Sequence, residues 1–306
     1  MKFLNSFIYL IIKILLIGLV PGNLYSQATA TGENGIFYKI SGNGLQQPSY
    51  LLGTYHLIND GFLKGKSNVL KRLSASENII VETEIDSSKI LMASLRLMMK
   101  DDSISGYLSP DEEKTVSSLL QDAMGINLKQ VDRINPAALM AMLSMSYTQN
   151  ELGNELNKIS GIPIDMFIAR KGHRENKNVI QLETMEEQMN LLYNGQSTEE
   201  QVEQLLNFAN APDSAKILTR KVFELYLNED LAALNKLHEE EKRMYDEMDY
   251  LTVKRNRKWM QEIIKSIQSK PTFIAVGALH LPGDHGLIEL LQKAGYNVTA
   301  ESMSRK

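Results

Sequence analysis

The chain has 306 residues, of which 43% are hydrophobic and 23% charged, a composition typical of a globular protein with one large domain or two modest ones. The formal net charge of −4 gives no support to a nucleic-acid-binding surface, so we predict no nucleic-acid partner. Cysteine does not occur, which excludes disulfides, a cysteine-bound zinc ion, a thiol nucleophile and a lipid-modified cysteine.

Residues 1–26 have the pattern of a secretory signal peptide. A positively charged start precedes an almost wholly apolar stretch over 7–20, and a Pro-Gly pair then breaks the helix before the small residue Ser26. We predict cleavage near Ser26, export of residues 27–306 to the periplasm or the extracellular space, and no stable membrane span afterwards. The alternative is a retained membrane anchor, although the apolar stretch is short for a bilayer and contains Lys13.

Short runs of aliphatic, β-branched and aromatic residues, bounded by turn residues, predict strands. In chain order the predicted strands cover 36–40, 49–54, 78–84, 178–184, 272–276 and 296–301. Apolar residues at helical spacing, with typical start signals, predict the helices between the strands. They cover 64–75 and 87–100, start near 110, 136, 163 and 185, and continue over 199–209, 215–227, 231–267 (as one helix or two) and 287–294.

Two of the predicted strands run into the same motif, an apolar residue followed by Gly-x-x-His-Leu. The first copy contains Gly53 and His56, and the second contains Gly277 and His280. Each copy is followed by a helix and another strand, which predicts two related β–α–β units with parallel strands. We therefore predict an α/β fold in which both units form one mainly parallel sheet, with a large α-helical insertion over about 87–160 and 190–268.

Four residues at predicted strand ends are candidate metal ligands: His56, Glu82, Glu183 and His280. Imidazoles and carboxylates bind zinc, manganese, iron and cobalt, and a bound metal can activate water for hydrolysis. A carboxylate that is not a ligand can take the proton of that water. The alternative is that each residue only stabilises its turn by hydrogen bonds, and that the repeated motif reflects nothing more than an old duplication.

Other polar residues have two interpretations each. Asp165, near a predicted helix start, either interacts with the helix dipole or belongs to the site. Arg257 either lies on a solvated basic helix face or holds a substrate carboxylate or carbonyl group. His173 and His238 lie in strongly polar segments, and we expect both at the surface, with His285 in a loop.

These motifs, in this order, resemble the TraB/PrgY/GumN family, which includes the Tiki metalloproteases. The segments that carry the resemblance are 51–57, 80–84, 161–165, 179–188, 255–260 and 276–291. One departure is visible, since the family often has Glu-x-Asp where this chain has Glu82-Thr83-Glu84. The resemblance implies an α/β fold of the erythromycin-esterase-like and ChaN-like kind, and for the Tiki members a metal-dependent peptidase supported by manganese or cobalt.

Three functions are compatible with the sequence. The first is an exported metal-dependent hydrolase, a peptidase that acts on a peptide substrate through metal-activated water. The second is a non-catalytic binding protein for a peptide, a polysaccharide intermediate or haem, with the Met-rich insertion as its groove. The third is a periplasmic scaffold with a vestigial site. The sequence leaves the substrate and the oligomeric state open.

The first hypothesis assigns a role to each candidate residue. His56 and His280 bind a divalent ion (manganese, cobalt or zinc), and Glu82 or Glu183 completes the ligand shell while the other glutamate acts as base. The resemblance adds Asp165 and Arg257 as catalytic positions, with Arg257 steadying the substrate or the oxyanion. The predicted metal ligands are therefore His56, His280, Glu82 and Glu183, and the predicted catalytic residues are Glu82, Glu183, Asp165 and Arg257.

Overall fold

The computed structural model describes residues 35–84, 97–242 and 252–304. The predicted signal peptide lies outside the described residues, as do most of the predicted helix 87–100 and part of the predicted helical stretch 231–267. Contacts divide the described residues into two compact units. One contains 35–84, 155–184 and 223–304, and the other contains 97–154 and 185–222. Among the described residues, no helix is both long and apolar enough to cross a bilayer.

The first unit is built on a six-stranded β-sheet. Its strands are β1 Phe37–Ser41, β2 Ser49–Thr54, β3 Asn78–Val81, β4 Asn178–Gln181, β5 Thr272–Gly277 and β6 Asn297–Ala300. They are arranged in the order β4-β3-β5-β2-β1-β6. Strands β2, β3 and β5 are buried along their whole length, whereas β4 and β6, at the two edges, are partly exposed. Burial on both faces explains why the central strands are nearly continuous apolar runs.

The sheet is mainly parallel, as predicted. Strand β5 pairs in parallel with β2 and β3, and β3 pairs in parallel with β4. Only β1 runs the other way, antiparallel to β2 and β6. The α/β fold class is therefore confirmed, and the strands within each predicted β–α–β unit do run in one direction. In neither unit are they neighbours, because β5 lies between β2 and β3, and both β2 and β1 lie between β5 and β6.

The described helices follow the predicted order, apart from one short helix, Leu128–Val131, that was not predicted. They are α1 Ser67–Ala75, α2 Pro110–Met124, α3 Leu128–Val131, α4 Pro136–Leu156, α5 Ile164–Arg174, α6 Met185–Asn194, α7 Thr198–Asn210, α8 Pro212–Leu227, α9 Leu231–Lys242, α10 Val253–Ser269 and α11 Leu287–Lys293. Helices α9 and α10 belong to the unit that contains the sheet, so residues from Phe223 onward group with the sheet and not with the helical unit. This boundary differs from the insertion limits that we drew from the sequence.

The second unit is helical. Helices α2 and α7 pack against each other, and each begins with a reciprocal capping box. In α2 the hydroxyl of Ser109 accepts a hydrogen bond from the backbone N–H of Glu112, whose carboxylate accepts one from the N–H of Ser109. Ser197 and Glu200 form the same pair in α7. Such caps satisfy N–H groups that the first helical turn leaves without a partner.

The glycine of the first motif allows the turn of the second motif to pack against β2. A Cβ atom on Gly53 would lie 3.0 Å from Cα of Ala278 and 3.1 Å from a methyl carbon of Leu281. Real Cβ atoms rarely come so near to backbone, so a side chain here would push the second motif away from the sheet. The two copies of Gly-x-x-His are therefore packed together, and their histidines come from adjacent parallel strands.

Candidate active site

The carboxyl ends of four parallel strands bring the predicted residues to one edge of the sheet. His56 follows β2, Glu82 follows β3, Glu183 follows β4, and His280 ends a short 3-10 helix, Ala278–His280, that follows β5. All four side chains are buried. The edge of an α/β sheet at the carboxyl ends of its strands is where such folds place their ligand sites.

His56 is held by a carboxylate from helix α5. Its Nδ1 lies 2.8 Å from Oδ2 of Asp165, and the hydroxyl of Thr54 donates to Oδ1 of the same carboxylate at 2.7 Å. Because the buried carboxylate accepts both bonds, Nδ1 of His56 carries the proton and Nε2 carries the lone pair. Asp165, in the first turn of α5, therefore belongs to the cluster and fixes the tautomer of His56.

A buried arginine from helix α10 connects the two glutamates. Nη2 of Arg255 donates to Oε2 of Glu82 at 2.7 Å, and its Nε lies 3.1 Å from both carboxylate oxygens of Glu183. The backbone N–H of Gly277 donates to the other oxygen of Glu82 at 2.6 Å, and the indole N–H of Trp259 donates to Glu183 at 3.1 Å. The two carboxylates thus share one guanidinium.

His280 is neutral and has a fixed tautomer. The side-chain amide of Asn256 donates to the backbone carbonyls of His280 and His285 at 3.1 and 2.9 Å, so its oxygen faces Nδ1 of His280 at 2.7 Å. Nδ1 therefore donates, and Nε2 accepts a hydrogen bond from Nη1 of Arg255 at 3.1 Å. Trp259 packs against the imidazole, with ring centroids 4.4 Å apart.

The structure does not bring Arg257 into this cluster. Its side chain is exposed, and its guanidinium lies 3.4 Å from Nδ1 of His285. The arginine of the site is Arg255, two residues earlier, since the buried face of α10 includes Arg255, Asn256 and Trp259. Helical spacing could have identified Arg255 from the sequence. It lies one turn before the only tryptophan and so shares its face of the helix, whereas position 257 lies on the opposite face.

The charges of the cluster determine one another. Burial raises the pKa of Glu82, but the guanidinium of Arg255, the two histidines and the N–H of Gly277 together bring it down to about 2. Burial, and then the positive charge of Arg255, lower the pKa of His280 to about 3. Burial lowers the pKa of Arg255 as well, yet the two glutamates outweigh this and raise it. At neutral pH the cluster therefore contains an ionised Glu82, a cationic Arg255 and a neutral His280.

Stability is expected to fall as the pH decreases from about 6.5 to about 4. The pKa of His280, about 3 in the folded protein, lies below its ordinary value of 6.5, so in this range the unfolded chain binds a proton that the folded protein does not. The corresponding loss is on the order of 3 kcal/mol at pH 4. Urea denaturation at a series of pH values measures the effect, and a His280→Gln variant should show a shallower dependence. Equal slopes in the two proteins would contradict the assignment.

The donor atoms of the cluster are spaced more widely than the ligands of one metal ion. Oε1 of Glu82 lies 4.0 Å from Nε2 of His56 and 3.9 Å from Nε2 of His280. Donors in a tetrahedral shell with bonds of about 2.1 Å lie about 3.4 Å apart, and the lone pair of His280 already faces Arg255. Within the described residues, no group of three or more His, Asp or Glu side chains is arranged to hold a metal ion. In this arrangement the donors do not fit one.

Fold and site together define an α/β protein with a buried histidine–carboxylate–arginine cluster at the carboxyl edge of a mainly parallel sheet. A model of the TraB/PrgY/gumN family matches residues 36–300, most of the chain. The chain therefore belongs to this family, as the resemblance of its motifs indicated. No curated protein and no solved structure matched the chain in the corresponding searches.

Proposed function

We propose that the protein is a hydrolase that cleaves peptide bonds, with His56 as the general base. The observation that carries the proposal is the state of His56. Its Nδ1–H is held by Asp165, which leaves the lone pair on Nε2, and within the described residues no donor occupies that lone pair. His280 is fully buried and its Nε2 is occupied by Arg255, so it cannot take this role.

The chemistry follows from this arrangement. Nε2 of His56 accepts a proton from water as the water oxygen attacks the carbonyl carbon of the peptide bond. The imidazolium then lies between the carboxylates of Asp165, at 2.8 Å, and Glu82, at 4.0 Å, which stabilise its charge. It returns the proton to the leaving amine as the carbon–nitrogen bond breaks, and the second product is a carboxylate. The peptide as substrate class rests on the resemblance to the Tiki proteins.

Beside the cluster lies a pocket of about 360 Å³, which Asn256 lines and His56 does not, so it would hold a part of the substrate other than the cleaved bond. Asn256, which fixes His280, contributes to its wall, and so does Leu279 of the second motif. Glu239 and Asp284 also line the pocket, whereas no lysine or arginine is found among its described lining residues. This charge favours the amino group of a peptide over its carboxylate. The signal-peptide pattern of residues 1–26 supports the further proposal that the enzyme is exported.

The proposal is tested by incubating the purified protein with a library of short peptides and detecting cleavage by mass spectrometry. Cleavage is expected, with kcat/KM reduced about 10²- to 10⁴-fold in a His56→Gln variant. His173→Gln is the matched control, because its side chain is exposed and its ring contacts Glu84 outside the cluster. This control should keep the activity of the unchanged protein.

Two results would contradict the proposal, the first by removing His56 from the chemistry and the second by removing the hydrolase itself. One is equal cleavage by the His56→Gln and His173→Gln variants, which would place the chemistry elsewhere. The other is retention of a peptide without cleavage, which would favour the binding protein over the enzyme.

A further inference from the structure

We infer that Arg255 takes the place of a metal ion in this site, so that hydrolysis by His56 proceeds without a metal. Only the claim that hydrolysis proceeds without a metal rests on the proposed function. The claim that Arg255 takes the place of a metal ion concerns cation binding by the cluster and can be measured without any substrate.

Arg255 lies in contact with three of the candidate metal ligands at once. Its guanidinium contacts Glu82 through Nη2 at 2.7 Å, Glu183 through Nη2 at 3.0 Å, and His280 through Nη1 at 3.1 Å. Three of the four residues that the sequence suggested as metal ligands are therefore bound by one protein cation. The planar, permanently charged guanidinium suits such a role, because it can bind a carboxylate through two nitrogens at once.

The carboxylates of the cluster already have protein partners and do not need a metal ion to satisfy them. Both oxygens of Asp165 accept protein hydrogen bonds, as do both oxygens of Glu82 and both of Glu183. A metal at Glu82 and His280 would have to displace Arg255 and leave a guanidinium buried without these partners. Buried charges are costly when their partners are removed, so this exchange is unfavourable.

The wild-type protein provides the first test. Purified protein should contain less than about 0.1 mol of manganese, cobalt or zinc per mol of protein, and millimolar Mn²⁺ or Co²⁺ should not raise its Tm, because only an ion that binds the folded state stabilises it. Peptide cleavage should change less than about twofold after dialysis against EDTA, far below the effect of losing a metal that activates water. Stoichiometric metal, or activity lost with EDTA and restored by Mn²⁺ or Co²⁺, would overturn the inference.

A pair of variants on helix α10 provides the second test. In Arg255→Met the guanidinium is gone while Glu82, Glu183 and His280 remain, so Mn²⁺ or Co²⁺ should now bind and raise the Tm by several degrees. Arg257→Met removes the same charge two residues away, on the exposed face, and should show no such rise. If the wild type is stabilised by these ions as much as Arg255→Met, the inference is wrong.

The two proposals fail in different ways. If no peptide is cleaved but the wild type binds no metal, the hydrolase is rejected while the role of Arg255 stands. If cleavage occurs and depends on a bound metal, the hydrolase stands and the role of Arg255 is rejected. Should Arg255→Met not fold, the metal content and the Mn²⁺ and Co²⁺ titrations of the wild type still decide the question.

Discussion

Replacing Asp165 by asparagine is expected to lower kcat/KM for peptide cleavage by about 10³- to 10⁴-fold. The carboxylate accepts the Nδ1–H bond of His56 at 2.8 Å and so keeps the lone pair on Nε2, where the base must be. An asparagine amide can instead donate to Nδ1, which moves the ring proton to Nε2 and leaves no lone pair there. The same exchange in Ser-His-Asp enzymes has an effect of this size because the wrong tautomer is stabilised.

Steady-state kinetics on the best peptide from the library would measure the loss, and circular dichroism would check that Asp165→Asn is folded. The nitrogen chemical shifts of the His56 ring report the tautomer directly. The shift typical of a protonated nitrogen should belong to Nδ1 in the wild type and to Nε2 in the variant. The control is Asp111→Asn, a change of the same kind at a carboxylate that is almost fully exposed. A loss of less than about tenfold in Asp165→Asn would mean that His56 is not the base.

The strands and the strand-end residues could be predicted because their signals are local. Runs such as Thr272–Gly277 are buried over their whole length and are apolar apart from the threonine, as burial on both faces of a sheet favours. His56, Glu82 and His280 each lie within three residues of the end of such a run, so parallel strands were sufficient to bring them to one edge. The order of the strands in the sheet could not be predicted in this way, because it depends on contacts between residues that are far apart in the chain. The antiparallel strand β1 and its pairing with β6 depend on residues more than 250 positions apart in the chain.

Arg255 was missed because its environment is created by distant residues. It lies in a basic segment, Lys254-Arg255-Asn256-Arg257-Lys258, that resembles a solvated helix face, and from this segment we predicted Arg257 as the site residue. Its burial depends on Glu82 and Glu183, which lie 173 and 72 positions away. A charged side chain is buried only where such partners exist, so its sequence context alone indicates the surface.

His238 shows the same limit of local sequence. The three residues that follow it in the chain are acidic, which led us to expect it at the surface, yet it is buried. His173, for which the expectation was the same, is exposed and contacts Glu84. Residues adjacent in the sequence of a helix point to different faces, so polar neighbours do not show whether a given side chain faces solvent or the protein interior.

Removing the guanidinium of Arg255 is expected to be among the most destabilising single changes in this unit. Arg255→Met leaves the carboxylates of Glu82 and Glu183 buried without their shared cation, and breaking a buried ion pair in this way costs about 3 to 5 kcal/mol. Methionine keeps much of the side-chain volume, so the loss reports charge rather than a cavity. The free energy of unfolding from urea denaturation, compared with the wild type at pH 7, measures it.

The charge explanation is separable from packing by a combined variant. If the destabilisation comes from two uncompensated carboxylates, then Glu82→Gln and Glu183→Gln introduced together with Arg255→Met should recover a substantial part of the loss, since neutral amides are less costly to bury. Arg257→Met, on the exposed face of the same helix, should change stability by less than about 0.5 kcal/mol. A loss of under about 1 kcal/mol in Arg255→Met, or no recovery in the combined variant, would show that the guanidinium is not the cation on which this cluster depends.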